Sequence, residues 1–304
     1  MQICTGVNGE ISRGKCEKCA SYLRVRILGR LEPPQQPIHM KKLILTVSTL
    51  FASVAISQAA LVGFWNFDDG TANDSSGNGN NGTFQNGAGA SANVPAGGGA
   101  MSLVVGGGTQ HVLIPDSSSL DISGAITITA WVQRPAAGWG AILAKGPSDI
   151  SGANYPGNYE LRLGNGNGVM NLLWEDGVAA NTFTNIADAG GAVAADTWTH
   201  IAFSGTNSGT YSFYINGVAT GTGAAPANFL NDQNGSSLFL GSRNDLFTTI
   251  NGGLDEISIW NESLDATQVN SIFENGVNSV VPEPSTTLLG ALATAFLFGR
   301  RRRL

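Results

Sequence analysis

Alternation of apolar and polar residues recurs along the middle of the chain and predicts β-strands. It is clearest in Ala125–Arg134, where Ile, Ile, Ala and Val alternate with Thr, Thr and Trp. The stretch 211–222 predicts a hairpin, because Asn216-Gly217 is the preferred pair for a type I′ turn. Many such strands without βαβ alternation predict an all-β fold, an antiparallel jelly-roll β-sandwich spanning residues 60–278.

One short helix is predicted near the end of this region. Asp265 is placed to cap it together with Gln268 at the third helical position, and Gly276 is placed to end it. Val269 and Ile272 share one face, which we expect to pack on the sheet.

The charge is unevenly distributed. Residues 60–281 contain four basic residues against eighteen acidic ones, a net charge of −14. Such a region repels phosphate backbones, so nucleic acid is not an expected partner, whereas its carboxylates are free to bind cations. The CxxC pair at Cys16 and Cys19 is half of a zinc motif without a second pair, which is weak evidence for a metal site.

Residues 40–59 have the pattern of a secretory signal peptide. Lys41 and Lys42 precede an apolar run, and small residues up to Ala59 form a signal-peptidase site. Residues 1–39 are then interpreted as an over-extended start without structure. The alternative is that 40–59 form a buried hydrophobic helix.

The tail, residues 279–304, contains the Pro282-Glu283-Pro284 motif, an apolar run of about 13 residues and four arginines. This run is about 20 Å long as a helix, too short for a comfortable membrane span of about 30 Å. The tail resembles the PEP-CTERM signal of Gram-negative bacteria. The resemblance implies sorting by an exosortase in cells that make exopolysaccharide. It also implies transient inner-membrane association, then a place at the cell surface, at the outer membrane or in the extracellular matrix.

The blocks between the two ends resemble a known domain family. They occur in order from "LVGFWNFDDG" through "AITITAWVQR" and "DTWTHIAFSGT" to "GGLDEISIW". This order is similar to that of the bacterial laminin G-like, concanavalin A-like lectin/glucanase domain. The resemblance implies two curved antiparallel sheets, with the concave face or its rim loops as the usual ligand surface.

Catalytic motifs are not found. Glucanases of this fold carry alternating carboxylates on one strand, but the acidic pairs Glu175-Asp176 and Asp255-Glu256 are adjacent and are expected to point to opposite faces. No nucleophile elbow, zincin or P-loop motif occurs. We therefore do not expect an enzyme, and His200 is expected to be structural.

A structural Ca²⁺ ion is the favoured metal hypothesis. Asp255 shares strand parity with Ile257 and Ile259, and an inward carboxylate needs a cation or several hydrogen bonds. Asp68 and Asp74 lie in an Asn- and Gly-rich loop that offers oxygen ligands, and pairing of the first and last strands would bring this loop towards Asp255. Domains of this family often hold a calcium ion there. The alternative is that backbone N–H groups satisfy Asp255.

Three aromatic residues in turn-like stretches are candidates for sugar stacking, namely Trp139, Tyr155 and Trp174. Packing under a loop is the alternative for each. Three other tryptophans lie in the family blocks and are expected in the core: Trp65, Trp131 and Trp198.

Together these features indicate a secreted or surface-bound, non-catalytic binding or adhesion module. Its expected ligand is a polysaccharide of the extracellular matrix, and its expected partners are the export and exosortase-type machinery. The alternatives are a glycan-cleaving enzyme on the same fold and a surface-coat protein without a discrete ligand.

Overall fold

The fold was analysed in a computed structural model of the chain. The residues that it describes are 61–135, 139–146, 158–164, 167–175, 183–226, 228–230, 235–244, 246 and 248–281. All of them fall within one compact unit. They form fifteen β-strands, one α-helix and one 3-10 turn. The all-β prediction is confirmed.

The strands are short, as the alternating pattern predicts. In chain order they are β1 (Leu61–Trp65), β2 (Thr83–Gln85), β3 (Gly89–Ser91), β4 (Ser102–Gly106), β5 (His111–Ile114), β6 (Ala125–Gln133), β7 (Gly140–Lys145), β8 (Tyr159–Leu163), β9 (Met170–Glu175), β10 (Phe183–Ala187), β11 (Thr199–Thr206), β12 (Thr210–Ile215), β13 (Val218–Ala224), β14 (Leu238–Leu240) and β15 (Asn251–Trp260). Helix α1 spans Ala266–Asn275, and the 3-10 turn spans Val277–Ser279.

Two antiparallel sheets contain these strands. The described residues of the first sheet form eight strands in the order β13-β12-β11-β6-β15-β4-β3, with β1 also paired to β15. The second sheet has seven described strands in the order β10-β9-β8-β7-β14-β5-β2. The predicted pairing of the first and last strands is confirmed, because Trp65 on β1 lies opposite Ile257 on β15.

The main core lies between the two sheets. Its largest side chains are fully buried and come from both sheets and from one connecting segment, as shown by Trp65, Phe203, Phe213, Trp174 and Phe229. Burial of this apolar surface is the main favourable term in folding.

A smaller apolar layer covers the opposite, outer face of the eight-stranded sheet. Phe64, Tyr214 and Trp260 of the sheet contact Val269 and Ile272 of α1 there. The outer face also carries Trp131 and Trp198, which are half-buried. The expectation that these two tryptophans lie in the core is wrong. The core side of β6 is taken by its Ile, Ala and Val residues, and the Trp198 ring lies against Gly253 of β15.

The predicted hairpin and helix are confirmed in detail. Asn216 and Gly217 have φ angles of 48° and 75°, and Ile215 pairs with Val218, as a type I′ turn requires. At α1, the Asp265 carboxylate accepts a hydrogen bond from the Gln268 backbone N–H at 2.9 Å. The Gln268 side chain accepts one from the Asp265 N–H, also at 2.9 Å.

Among the described residues, no helix combines the length and the apolar character that crossing a membrane would require.

Loss of the helix cap is expected to lower stability measurably. Asp265→Ala removes an acceptor for a backbone N–H that has no partner within the helix, which costs about 1 kcal/mol. In a domain of this size that corresponds to a melting temperature lower by about 2–4 °C. Thr267→Ala, an exposed change on the same helix that leaves the cap intact, is the control and should not lower the melting temperature, because alanine is the stronger helix former. Equal melting temperatures for the two variants would contradict a stabilising cap.

Candidate functional site

Two of the three predicted sugar-binding aromatics, Trp139 and Trp174, lie within the described residues, and only Trp139 is exposed. It immediately precedes β7, and 45% of its surface is accessible. The guanidinium carbon of Arg162 lies 4.6 Å from the centre of the indole ring. Arg162 alternates along β8 with the core residues Leu161 and Leu163, so it stands on the outer face of the seven-stranded sheet. The cation fixes one face of the ring and leaves part of the indole open to solvent.

A buried carboxylate holds this arginine in place. Glu160 is fully buried, and its two oxygens lie 3.5 Å from a nitrogen of Arg162 and 3.7 Å from a nitrogen of Arg243. Both arginine side chains are themselves largely buried. Charges removed from water need such pairing, so the buried Glu160 holds Arg162 in position beside Trp139.

The other two predicted sugar-binding residues differ. Trp174 is fully buried, donates a hydrogen bond from its indole N–H to the carbonyl of Asn228 at 3.1 Å, and packs edge-on against Phe229. The sugar-stacking prediction for Trp174 is therefore wrong, because both ring faces are used within the core. Tyr155 lies outside the described residues, as do Ala59 and Pro282-Glu283-Pro284.

Two of the three predicted calcium ligands, Asp68 and Asp255, lie close together at a gap beside β15 in the eight-stranded sheet. On one side of β15, β4 pairs as far as Leu254, and β1 pairs from Ile257 onwards. Asp255 and Glu256 lie between these two partners. Asp68, which follows β1, and residues 98–101, which precede β4, come together at this gap.

Asp255 is buried as predicted, but on the other face of the sheet. Leu254 lies in the core, Asp255 pairs with the outward Trp131, and a bulge at Glu256 returns Ile257 to the core. The parity expected from Ile257 and Ile259 is wrong because the bulge adds one residue. The same bulge corrects the expectation for Asp255 and Glu256, whose carboxylates lie on one side of the sheet rather than on opposite sides.

The backbone before β4 packs directly on the two aspartates. The N–H groups of Ala100 and Met101 donate to the Oδ1 atom of Asp68 at 2.5 and 3.3 Å. A Cβ atom at Gly98 would lie 2.7 Å from Oδ2 of Asp255. Gly99 has a φ of 72°, and a Cβ atom there would overlap the Asp68 carboxylate. Only glycine lets the chain approach the carboxylates so closely.

The electrostatics of this gap are unfavourable for three free acids. Burial and the neighbouring charge of Glu256 raise the pKa of Asp255 to about 8, with a smaller contribution from Asp68. Burial and the charge of Asp68 raise the pKa of Glu256 to about 7. Oδ1 of Asp255 accepts a hydrogen bond from the Glu256 N–H at 2.9 Å, while Oδ2 is buried with no hydrogen-bond partner. A cation at this position would remove the repulsion and satisfy that oxygen.

Asp74 has a different role. Its Oδ1 atom accepts hydrogen bonds from the N–H groups of Phe64 and Ser76 at 3.0 and 2.9 Å, and Oδ2 accepts one from Asn80 at 2.9 Å. Three backbone donors account for this carboxylate, which organises the 74–80 loop against β1. Its inclusion with Asp68 and Asp255 is the part of the predicted metal site that the structure corrects. Within the described part of the chain, no group of three or more His, Cys, Asp or Glu side chains is placed to hold a metal ion.

His200 belongs to a second feature, which the sequence reasoning missed. It is 1% exposed on β11 and lies against the rings of Trp131 and Phe273, with centroid distances of 5.4 and 5.7 Å. Neither ring nitrogen has a hydrogen-bond partner, and burial lowers the pKa to about 3. The structural role expected for His200 agrees with this burial. The pocket that it lines, formed where α1 crosses the sheet, had no signal in the sequence.

The two antiparallel sheets, with one helix on the outer face, define a lectin-type jelly-roll domain. Residues 106–270, more than half of the chain, match the laminin G-like model of the concanavalin A-like lectin/glucanases superfamily, and the chain belongs to this family. Residues 280–303 match the PEP-CTERM protein-sorting motif, which indicates export and sorting to the cell surface. No curated protein matches the chain.

Solved structures share the fold at low sequence identity. Domain 4 of AbnA, a GH43 extracellular arabinanase from Geobacillus stearothermophilus, was solved with arabinotriose. It is 21% identical, with a TM-score of 0.51, and the match covers 72% of this chain and 100% of that one. The binding domain of Paraclostridial Mosquitocidal Protein 1 is 15% identical, with a TM-score of 0.51 and coverage of 70% and 51%. A structure of botulinum neurotoxin type C, a toxin whose cell entry depends on interaction with two ganglioside molecules, is 12% identical, with a TM-score of 0.51. The match covers 71% of this chain and 50% of that one. The chain thus spans about half the length of the two toxin structures.

The buried imidazole predicts a specific acid sensitivity. His200 remains neutral in the folded protein down to its pKa of about 3, whereas in the unfolded chain it gains a proton below about 6.5. The unfolded state therefore binds more protons in that window, and stability falls by about 1.4 kcal/mol per pH unit as the pH decreases.

Chemical denaturation at a series of pH values tests this expectation. His200→Gln should remove that part of the acid loss, so the stability difference between the two proteins should change steadily between about pH 6 and pH 4. The acids that line the same pocket, Glu256 and Glu274, are present in both proteins. Parallel pH profiles for the two proteins would contradict the assignment.

Proposed function

We propose that this domain is an exported, non-catalytic carbohydrate-binding module that binds a polysaccharide of the extracellular matrix. The observation that carries the proposal is the half-exposed indole of Trp139, held by Arg162 at 4.6 Å. A flat apolar ring that is held in position stacks on the apolar face of a sugar at a low entropic cost. The arabinotriose complex of the AbnA domain and the ganglioside dependence of the neurotoxin support this choice of ligand class.

Sorting gives the proposed place of action. An exosortase-type enzyme is the proposed partner of the tail, with transient inner-membrane association before the domain reaches the outer membrane or the matrix. The PEP-CTERM match at 280–303 supports this route. A polysaccharide-binding domain delivered there would hold its ligand close to the cell surface.

A structural Ca²⁺ ion is proposed at the gap between β1 and β4. Asp68 and Asp255 would hold it, and the buried oxygen of Asp255 without a hydrogen-bond partner supports the fit. The side-chain donors are oxygen atoms only, which suits Ca²⁺, and backbone oxygens of the adjacent loops would complete the set. When bound, the ion supplies positive charge that links the end of β1 to the start of β4.

Removal of the Trp139 ring is expected to abolish most sugar binding. A glycan array should identify bound polysaccharides, and calorimetry on these should show affinity lower by about 2 kcal/mol, or about thirtyfold, for Trp139→Ala. Val218→Ala, which trims another exposed apolar residue on a different sheet, is the control and should bind normally. If Trp139→Ala binds the polysaccharide as tightly as the wild type, the Trp139 surface is not the sugar-binding site.

The same polysaccharides distinguish the three classes of function. Incubation with the protein should release no reducing sugar if the domain binds without cleavage. Release of reducing ends would instead establish the glycan-cleaving alternative. A protein that neither binds nor cleaves across the array would fit a surface-coat component.

Calcium is expected to raise the melting temperature, and EGTA to lower it. An ion at about 100 times its dissociation constant adds about 2.7 kcal/mol of stability, which is several degrees. Asp255→Asn should lose this difference between the calcium and EGTA curves, whatever its own stability. Asp69→Asn, in an exposed position of the same loop, should retain it. Identical melting curves for the wild-type protein with calcium and with EGTA would show that no calcium ion stabilises the fold.

A further inference from the structure

A separate pocket of about 210 Å³ lies on the outer face of the eight-stranded sheet. Its walls come from β6, β11 and β15, from the last turn of α1 and from residues 96–97. It is on the opposite sheet from Trp139. A cavity needs about 10–15 Å³ to hold one water, and pockets for drug-sized ligands measure about 300–1,000 Å³, so this volume suits a small organic group.

Three aromatic rings form one side of the pocket. Trp131 and Phe273 have centroids 5.7 Å apart, and His200 lies 5.4 Å from the first and 5.7 Å from the second. All three line the pocket. The negative faces of such rings attract a cation within about 6 Å of their centres.

His200 contributes an incomplete hydrogen-bonding group. The residue is 1% exposed, and neither ring nitrogen has a hydrogen-bond partner. A buried polar group in this state costs about 1–3 kcal/mol, and such groups in native proteins are nearly always satisfied. The neutral ring has one nitrogen with a free lone pair, which is an acceptor for a donor within the pocket.

Glu256 supplies a carboxyl group to the same space. It adopts a φ of 49°, which is unusual for a residue other than glycine, and the bulge at this point turns its side chain into the pocket lining. Glu274 also lines the pocket, and none of the described lining residues is a lysine or an arginine. The pocket therefore combines two carboxyl groups, aromatic faces and a hydrogen-bond acceptor.

We propose that this pocket binds a primary ammonium group on a small skeleton, such as an alkylamine or an amino sugar. The ammonium group would pair with the Glu256 carboxylate, donate a hydrogen bond to the imidazole of His200 and lie against the Trp131 and Phe273 rings. An ammonium ion has three donors and no acceptor, so it can pair with the Glu256 carboxylate and with the lone-pair nitrogen of His200 at the same time. A neutral alcohol of the same size lacks the charge and two of the donors.

Calorimetric titration of the full chain in calcium-containing buffer at neutral pH tests the proposal with matched probes. Propylammonium and glucosamine should each bind at one site, whereas propanol and N-acetylglucosamine should bind at least about tenfold more weakly, a difference of about 1.4 kcal/mol. The alkylamine shows whether the ammonium group is sufficient. Glucosamine shows whether the pocket also accepts a sugar ring. Failure of both amines to bind, or equal binding of charged and neutral probes, would overturn the proposal.

Variants locate the binding within the pocket. Phe273→Leu keeps an apolar side chain but removes a ring, and Glu256→Gln removes the charge at nearly constant size. Each should weaken binding of propylammonium by about tenfold or more. Trp139→Ala should bind the amine as tightly as the wild type, because it lies on the other sheet. An effect of Trp139→Ala with none of Phe273→Leu would refute this site and leave the proposed polysaccharide binding untouched.

Discussion

Strand β15 is the element on which the eight-stranded sheet depends, because it pairs along its length with three other strands. On one side it pairs with β6, and on the other its first half pairs with β4 and its second half with β1. A continuous partner on that second side would leave no room for a polar site. The change from β4 to β1 leaves Asp255 and Glu256 without a ladder partner there, and the β-bulge at Glu256 fits this change of partner.

The same irregularity places two different sites side by side. Asp255 faces Asp68 and the glycines before β4, whereas Glu256 lines the pocket beneath α1. The acids are electrostatically coupled, because the charges of Glu256 and Asp68 raise the pKa of Asp255 and the charge of Asp68 raises the pKa of Glu256. A cation at the proposed calcium site would favour an ionised Glu256, so its binding and the charge of the pocket would be linked by electrostatics alone.

The alternating pattern predicted the fold well, because strand pairing and turn chemistry are local. Asn216-Gly217 and the Asp265–Gln268 box needed only the residues that form them. The burial of Trp174 could be predicted from the sequence. Trp174 follows Met170 and Leu172 at every second position, which is the core-facing parity of β9. For a residue at the end of a strand, this periodicity is a stronger signal than its place before a predicted turn.

The parity of Asp255 and the pocket around His200 could not be predicted in the same way. A β-bulge changes the face of every later residue, and nothing in "LDEISIW" marks which residue is inserted. The pocket needs Trp131 from β6, His200 from β11 and Phe273 from α1, which are brought together only when the helix packs across the sheet.

The outer apolar layer that holds the helix also includes Leu61, Val280 and Val281 at the two ends of the described chain. Both ends of the described region therefore lie on the helix side of the domain, whereas Trp139 is on the other sheet. A domain held through its tail would keep the Trp139 surface free for a polysaccharide.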